Sequence, residues 1–292
     1  MKAFAAVEAA ITAATGENFH ITASRSMGGG CINQAYAIEG NGRRYFIKTN
    51  RSTLADMFEA EALGLAELEA AQALRVPHPV TTGVAAGEAF LVLEFLELGG
   101  QGDSAKMGRG LAQQHRKTAD KFGWQRDNTI GSTPQINSWA SDWLAFLREN
   151  RLGFQLKLAA ENGYGGKLQQ PGEKLLARVG EFFPGYRPMP SLLHGDLWGG
   201  NAGFTVSGDP VVFDPAVYYG DREADLAMTE LFGGFGANFY AAYREEWPLD
   251  PGYATRKTLY NLYHILNHAN LFGGGYASQA EAMIKRLLSE LK

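Results

Sequence analysis

The chain is short of three things, and each shortage excludes something. Cys31 is the one cysteine in 292 residues, which rules out an internal disulfide framework and fits a reducing compartment. Positive charge is not in excess: 27 Lys plus Arg face 31 Asp plus Glu, a formal net charge of −4. Nucleic-acid binders need a basic surface to neutralise phosphates, so no nucleic-acid partner is expected. Long apolar runs are missing too. The most hydrophobic later stretch, 89–98, is far shorter than the roughly 20 residues of a membrane helix and is broken by Glu94. Near the start, Glu8 interrupts an Ala-rich segment in which Phe4, Val7 and Ile11 recur at three and four residues. That spacing reads as an amphipathic helix rather than a signal peptide. A soluble, cytoplasmic protein with no membrane partner is the expectation.

Glycine is abundant instead, at 36 residues, or about 12% of the chain against a usual value of about 7%. It clusters at Gly28-Gly29-Gly30, at Gly99-Gly100-Gln101-Gly102 and around Trp198. After the first helix the chain reads as β, with runs at 19–26, 32–38 and 44–48 separated by glycine-bearing turns. A helix follows over 53–74, with Leu54, Phe58, Leu65 and Leu68 at helical intervals, and Pro77 and Pro79 stop it. Two more strands are expected at 80–85 and 89–95. The glycine-rich stretch 99–102 is then the natural lobe boundary, giving units 1–98 and 99–292. Beyond it, helices are expected at 103–120, 137–160, 173–182, 222–231, 235–247, 253–272 and 278–291, around a β-rich island at 191–212. No internal repeat or low-complexity tract is present. The fold class is α+β: a small β lobe with one prominent helix, then a larger, mainly helical lobe.

The segment richest in chemistry is His194-Gly195-Asp196-Leu197-Trp198-Gly199-Gly200-Asn201, followed by Val211-Val212-Phe213-Asp214-Pro215. Phosphoryl transfer needs a carboxylate to orient the attacking hydroxyl and oxygen ligands for Mg²⁺. Asp196 in a glycine-flanked loop, Asn201 five residues on and Asp214 after an apolar run supply all three. The order and spacing resemble the H-R-D-x-x-x-x-N and D-F-G elements of the protein-kinase-like fold, with Gly195 in the Arg position and Asp214-Pro215-Ala216 where D-F-G would be. H-G-D-x-x-x-x-N belongs to the small-molecule branch of that fold, which includes aminoglycoside, choline and fructosamine kinases.

A kinase of this kind holds ATP, and the remaining parts have candidates. Tyr45-Phe46-Ile47-Lys48 has the form of the lysine strand, whose Lys pairs with the α/β-phosphates. Related kinases pair that Lys with a helix Glu followed by apolar residues at four and seven, which fits Glu61 with Leu65 and Leu68. Glu59 has Leu63 at four and stays open as the partner. Gly28, Gly29 and Gly30 lie where a phosphate-covering hairpin belongs, since glycines let backbone N–H groups approach phosphate oxygens. Glu94, Phe95 and Leu96 sit where the hinge of related kinases meets adenine; an ordinary buried strand would look the same. No Walker A loop competes, because Gly166-Lys167 is followed by Leu168 and Glu161 occupies the position of its first Gly.

Longer runs narrow the resemblance to the fructosamine kinase, or ketosamine-3-kinase, family over nearly the whole chain. They include Gly28 to Asn33, Met57-Phe58-Glu59-Ala60-Glu61, Phe122-Gly123-Trp124, Asp127-Asn128-Thr129-Ile130-Gly131, Gln135, Arg151-Leu152, Gln155-Leu156 and Arg222-Glu223-Ala224-Asp225-Leu226-Ala227-Met228. Asp221 departs from the His expected before Arg222. The resemblance implies ATP-dependent phosphorylation of the 3-hydroxyl of a ketosamine, either a small molecule or a glycated protein, and hence deglycation. It implies Asp196 as the residue that orients or deprotonates the hydroxyl, Asn201 and Asp214 as Mg²⁺ ligands, and Lys48 with Glu61 on the phosphates. His194 and Asp225 would support the loop, Asp225 by accepting backbone amides. Trp198 is either a platform for the sugar or core packing. Cys31 sits in the phosphate loop, where the family often carries a redox-sensitive cysteine, so a monomer or a homodimer linked through Cys31 is expected. His264 and His268, four apart on a helix, lack a third ligand for zinc. The rival readings are an aminoglycoside- or choline-type kinase of the same fold and a non-catalytic nucleotide-binding scaffold.

Overall fold

Side-chain alternation along short strands organises the first part of the chain. The structure is a computed structural model that describes residues 2–28 and 32–291. Helix α1 (Lys2–Thr15) precedes β1 (Ala23–Met27), β2 (Gln34–Gly40) and β3 (Arg43–Arg51), and α2 (Ala55–Ala70) precedes β4 (Pro79–Ala85) and β5 (Glu88–Glu94). The strands form one antiparallel sheet in the order β1-β2-β3-β5-β4. Successive side chains of a strand point to opposite faces. In β3, Tyr45 and Ile47 therefore share one face and join Val7, Ile11, Phe19, Ile38, Phe90 and Val92 in a buried cluster with α1. Lys48 points the other way, toward α2, which buries Phe58, Leu65 and Leu68 and packs on β4 and β5.

The strand expected from 19 begins at Ala23. Side chains account for the difference: Phe19, His20 and Ile21 donate their amides to Thr12, Asn41 and Glu8 rather than to a neighbouring strand. Those bonds satisfy the backbone in a fixed loop, and Phe19 still reaches the core edge-on to Tyr45 at 5.0 Å.

The chain continues through α3 (Ser104–His115), β6 (Asn128–Ile130), β7 (Thr133–Gln135), α4 (Trp143–Phe146), α5 (Phe154–Ala159) and α6 (Gly165–Arg178). Then come β8 (Ser191–Leu193), β9 (Ala202–Phe204), β10 (Pro210–Val212), β11 (Tyr218–Gly220), α7 (Glu223–Leu231), α8 (Ala237–Glu246), α9 (Tyr253–Phe272) and α10 (Tyr276–Glu290). Two compact units result, Met1–Asp103 with Asn201–Pro215, and Ser104–Gly200 with Ala216–Lys292. The first runs five residues past the expected boundary at 98 and recovers the β9–β10 hairpin. Backbone bonds tie it in: Gly99 donates to Phe204, Val206 to Glu97 and Val212 to Arg75. Gly100 and Gly102 are packed rather than loose, since a Cβ would lie 1.9 Å from the Thr205 carbonyl oxygen and 2.0 Å from the Phe204 ring, respectively.

In the second unit α3 packs on α8, α9 on α7 and α10, and α10 on α6. The helix expected from 137 starts at Trp143, capped by Asp142, whose carboxylate accepts the Leu144 amide at 2.7 Å. Asn137 cannot join it: its amide donates to Asp127, and its side chain donates to Asn128 and accepts from Arg151. A π-helical turn, Leu147–Gly153, joins α4 to α5 and buries Arg151 4.1 Å from the Tyr218 ring centre. The strands of the β6–β7 hairpin are three residues each, too short to carry an alternating pattern. Among the described residues no helix is long and apolar enough to cross a membrane.

Ile11 is fully buried between α1 and the sheet. Ile11→Ala should destabilise the protein by roughly 2–5 kcal/mol, as large-to-small core changes do. Urea denaturation measures it, and a midpoint equal to wild type would show that α1 is not part of the cooperative core.

Candidate active site

In the first unit, the lysine strand and the β9–β10 hairpin assemble four of the sequence-identified residues. Lys48 lies on β3 between the carboxylates of two other elements, with Nζ 2.5 Å from Glu61 Oε1 and 2.7 Å from Asp214 Oδ1. Glu61 is the α2 residue that reaches Lys48; Glu59 is on the exposed side of the helix. Burial alone would lower the ammonium's pKa, but the Asp214 and Glu61 carboxylates outweigh it and hold Lys48 above its ordinary value, fully charged. An ammonium has three donors, and Glu61 and Asp214 take two. The third is available in number for a phosphate oxygen.

The spacing of thirteen between Asn201 and Asp214 is closed by the hairpin. Ala202 pairs with Val212, and Phe213 donates its amide to the Asn201 carbonyl at 3.0 Å. Asp214 is the next residue, at φ 56, a left-handed conformation uncommon outside glycine but favoured by Asn and Asp among the rest. The Asn201 amide nitrogen donates to the Asp214 carbonyl at 3.4 Å. Oδ1 of Asn201 and the exposed carboxylate of Asp214 are hard oxygen donors. Two such ligands suit Mg²⁺ that takes its other ligands from phosphates and water, not from an all-protein cage. Among the described residues no cluster of three or more His, Cys, Asp or Glu could hold a metal.

The other candidates of this unit sit apart from the four. Glu94 ends β5 with its carboxylate bound by Arg75 and by the His78 amide, while Leu96 follows the strand half-buried. Gly28 follows β1 with open space over its Cα. Gly29, Gly30 and Cys31 lie outside the described residues. Beyond them, Asn50, two along β3 from Lys48 and on the same face, holds Ile32 and Asn33 by its side-chain amide.

In the second unit, one buried carboxylate shapes the loop that carries Asp196. Asp225 on α7 accepts the His194 amide at 2.7 Å and the Gly195 amide at 2.8 Å, and His115 Nε2 donates to it at 3.1 Å. Burial favours the neutral acid, but hydrogen bonds from His115 and the Gly195 amide, with the electrostatic influence of His115 and His194, hold Asp225 below the ordinary carboxyl range. Burial also lowers His115. Its Nδ1 receives the Tyr243 hydroxyl at 2.8 Å, and Arg222 donates to that hydroxyl at 3.1 Å. His115 and Tyr243 were not singled out in the sequence. They lie 110 residues before and 18 after Asp225 in the numbering, and neither carries a local motif.

Gly195 adopts φ +83, and a Cβ there would lie 2.0 Å from the Ala216 carbonyl oxygen. That excludes the Arg of the related motif. Asp196 follows half-buried, its amide 3.3 Å from His194 Nδ1. Trp198 remains 38% exposed, so it is not core, and its indole lies over Gly200, where a Cβ would come within 2.3 Å of the ring. Asp221, where the resemblance implies His, is fully buried and receives the hydroxyls of Tyr186 and Tyr260. His268 directs Nδ1 to the His264 carbonyl at 2.8 Å.

The model of the fructosamine kinase family matches residues 3–290. The chain belongs to this family. A probable ketoamine kinase of Synechocystis is 50% identical over 95% of this chain and 94% of its own length. The chloroplastic protein-ribulosamine 3-kinase of Arabidopsis thaliana is 46% identical over 95% of this chain and 86% of its own. Among solved structures, a candidate fructosamine-3-kinase from Haemophilus somnus superposes with a TM-score of 0.89 at 31% identity, over 97% of this chain and 96% of the other. An aminoglycoside phosphotransferase at 15% identity and a TM-score of 0.60, over 97% of this chain and 98% of its own, shares the fold. This fructosamine kinase is thus a phosphotransferase with the mixed, protein-kinase-like architecture of a sheet-bearing unit and a helical one.

Two glycines of the kinase loop should respond differently to the same substitution. Gly195→Ala forces φ and backbone against backbone and should lower stability by about 1–3 kcal/mol, with activity lost. Gly200→Ala meets the rim of a side chain, so stability should hold within about 0.5 kcal/mol while KM for the sugar rises. Thermal melts and steady-state kinetics read both; equal effects at the two positions would contradict the assignment.

Proposed function

We propose that the chain transfers the γ-phosphoryl group of ATP to the 3-hydroxyl of a ketosamine, a sugar bound to an amine by glycation. The carrying observation is Lys48 buried between Glu61 and Asp214, the arrangement phosphoryl transfer needs to fix a triphosphate. The names of the 40–50% identical relatives point to the ketosamine. On this reading Lys48 orients the phosphates, its own position set by Glu61. Asn201 and Asp214 would hold Mg²⁺, which would supply charge neutralisation at the phosphates. Asp196 accepts a hydrogen bond from the sugar hydroxyl and receives its proton as the oxygen attacks phosphorus. Trp198 offers an aromatic face to the C–H side of the sugar, two residues from the base. The phosphorylated adduct then decays, so the cellular outcome is deglycation, in a cytoplasm that supplies ATP and keeps one cysteine reduced.

Asp196→Asn keeps the shape and removes the base. It should lower kcat by roughly 10²–10⁴-fold, the usual share of general-base catalysis, with the melting temperature unchanged. The assay is ATP turnover across ribulosamines, fructosamines, aminoglycosides and choline. Wild-type turnover confined to aminoglycosides or choline would overturn the substrate, and a folded Asp196→Asn variant with near-wild-type turnover would overturn the base.

A further inference from the structure

Between α2 and β4, in the first unit, lies the segment Leu74-Arg75-Val76-Pro77-His78. Leu74 and Val76 are buried and Arg75 between them is exposed, yet both ends of Arg75 are engaged. Its carbonyl accepts the Val212 amide at 3.0 Å, and it pairs with Val211 in parallel, so β10 lies between β9 and Arg75. Its guanidinium donates to Oε1 of Glu94 at the end of β5. Oε2 of Glu94 accepts the His78 amide at 3.2 Å, and the Glu94 amide donates to the His78 carbonyl at 2.9 Å. The His78 ring in turn meets Glu69 of α2 at 2.8 Å. Five residues thus touch α2, which carries Glu61, β10, which leads to Asp214, and β5, which pairs with the lysine strand.

The side chains of Arg75 and Glu94 are 41% and 33% exposed, and an ion pair that open contributes little to stability by itself. Its place gives it a different use. Leu74 and Val76 are pinned in the core, and Pro77 has a fixed φ, so the carbonyl and the guanidinium of Arg75 move together. The carbonyl meets β10 at Val212, two residues before Asp214, whereas the ties at Phe204 and Val206 hold the far end of the hairpin. Asp214 itself is left-handed, at φ 56, a conformation that persists in a residue other than glycine when its surroundings fix it. A shift of β10 would carry its carboxylate away from Lys48, 2.7 Å distant, and from Asn201.

We propose that Arg75 is a positioning residue for Asp214: clamped to Glu94, it holds β10 where the Asp214 carboxylate can serve both Lys48 and a phosphate-bound Mg²⁺. The inference rests on reading Lys48, Glu61, Asn201 and Asp214 as the nucleotide site, and the identity of the sugar does not enter. It also gives Glu94 a different task from meeting adenine, since both of its carboxylate oxygens are taken within the chain.

The test is calorimetric titration of ADP into the protein with Mg²⁺ and again with EDTA. Arg75→Met keeps the stem and removes the charge; it should weaken ADP binding in Mg²⁺ by about fivefold, the upper end for a half-exposed ion pair. Binding in EDTA should stay at the wild-type value, because the clamp acts through a metal ligand. Glu94→Gln should match Arg75→Met, the double variant should lose no more than either, and Arg75→Lys should recover most of the loss. In turnover, KM for ATP should rise with the binding constant while KM for the sugar amine holds. A loss of equal size in EDTA would place the clamp's effect on adenine rather than on Asp214 and overturn the inference, as would unchanged binding in folded variants. A wild type that binds ADP equally with and without Mg²⁺ removes the metal role of Asp214 and the inference with it. A wild type that binds no ADP overturns the nucleotide reading beneath both, a separate result.

Discussion

Asp225 gathers the amides of His194 and Gly195 and the imidazole of His115 around a single carboxylate that is almost wholly buried. A buried anion is tolerated when its lone pairs are filled by well-placed donors, so each of these groups is held where the carboxylate needs it. The consequence passes along the chain. Gly195 is drawn into a left-handed turn beside Ala216, and that turn sets the direction in which Asp196 leaves the loop. Trp198 and Gly200 follow within one further turn of chain. The brace itself is braced, because Arg222 and Tyr243 fix His115 from behind.

A second constraint governs the first unit, and it is one of parity. Lys48 is adjacent to Ile47, which belongs to the core beneath α1, so the pleat delivers the ammonium to the opposite face. Glu61 meets it from α2 and Asp214 from the end of a short hairpin. A one-residue slip in β3 would exchange Ile47 and Lys48 and destroy core and site together. The same hairpin brings Asn201 beside Asp214, so the two expected Mg²⁺ ligands share one backbone device.

Much of this was legible because the chemistry is local in sequence. The H-G-D-x-x-x-x-N run, the strand ending in Lys48 and the apolar lead into Asp214 each fall within a few residues, and the helix period restricted the lysine's partner to Glu59 or Glu61. Choosing Glu61 needed the phase of α2 against β3, which only packing fixes. The brace was half legible: Asp225 stands in a recognisable run, whereas His115 and Tyr243 reach it from α3 and α8. The start of the helix at Trp143 was hidden for a similar reason, since Asn137 is held by side chains from two other segments, Asp127-Asn128 and Arg151. Glycines 99–102 look like a linker by sequence, yet Gly100 and Gly102 are small so that the β9–β10 hairpin can lie against them. Trp198 could have been core or platform by sequence; its exposure and its seat on Gly200 decide against core.

The first unit carries Lys48 between Glu61 and Asp214, and the second carries a loop that presents one half-buried carboxylate beside an open indole. The central claim is a specific bond: phosphorus from ATP on the third oxygen of a ketosamine. Phosphorus NMR of the product formed from ATP and a synthetic ribulosamine, with proton correlation, reads that bond directly. The account predicts a phosphomonoester coupled to the proton on sugar carbon 3, accumulating with ADP. A phosphate coupled to any other sugar position, or ADP release with no sugar phosphate, would contradict it.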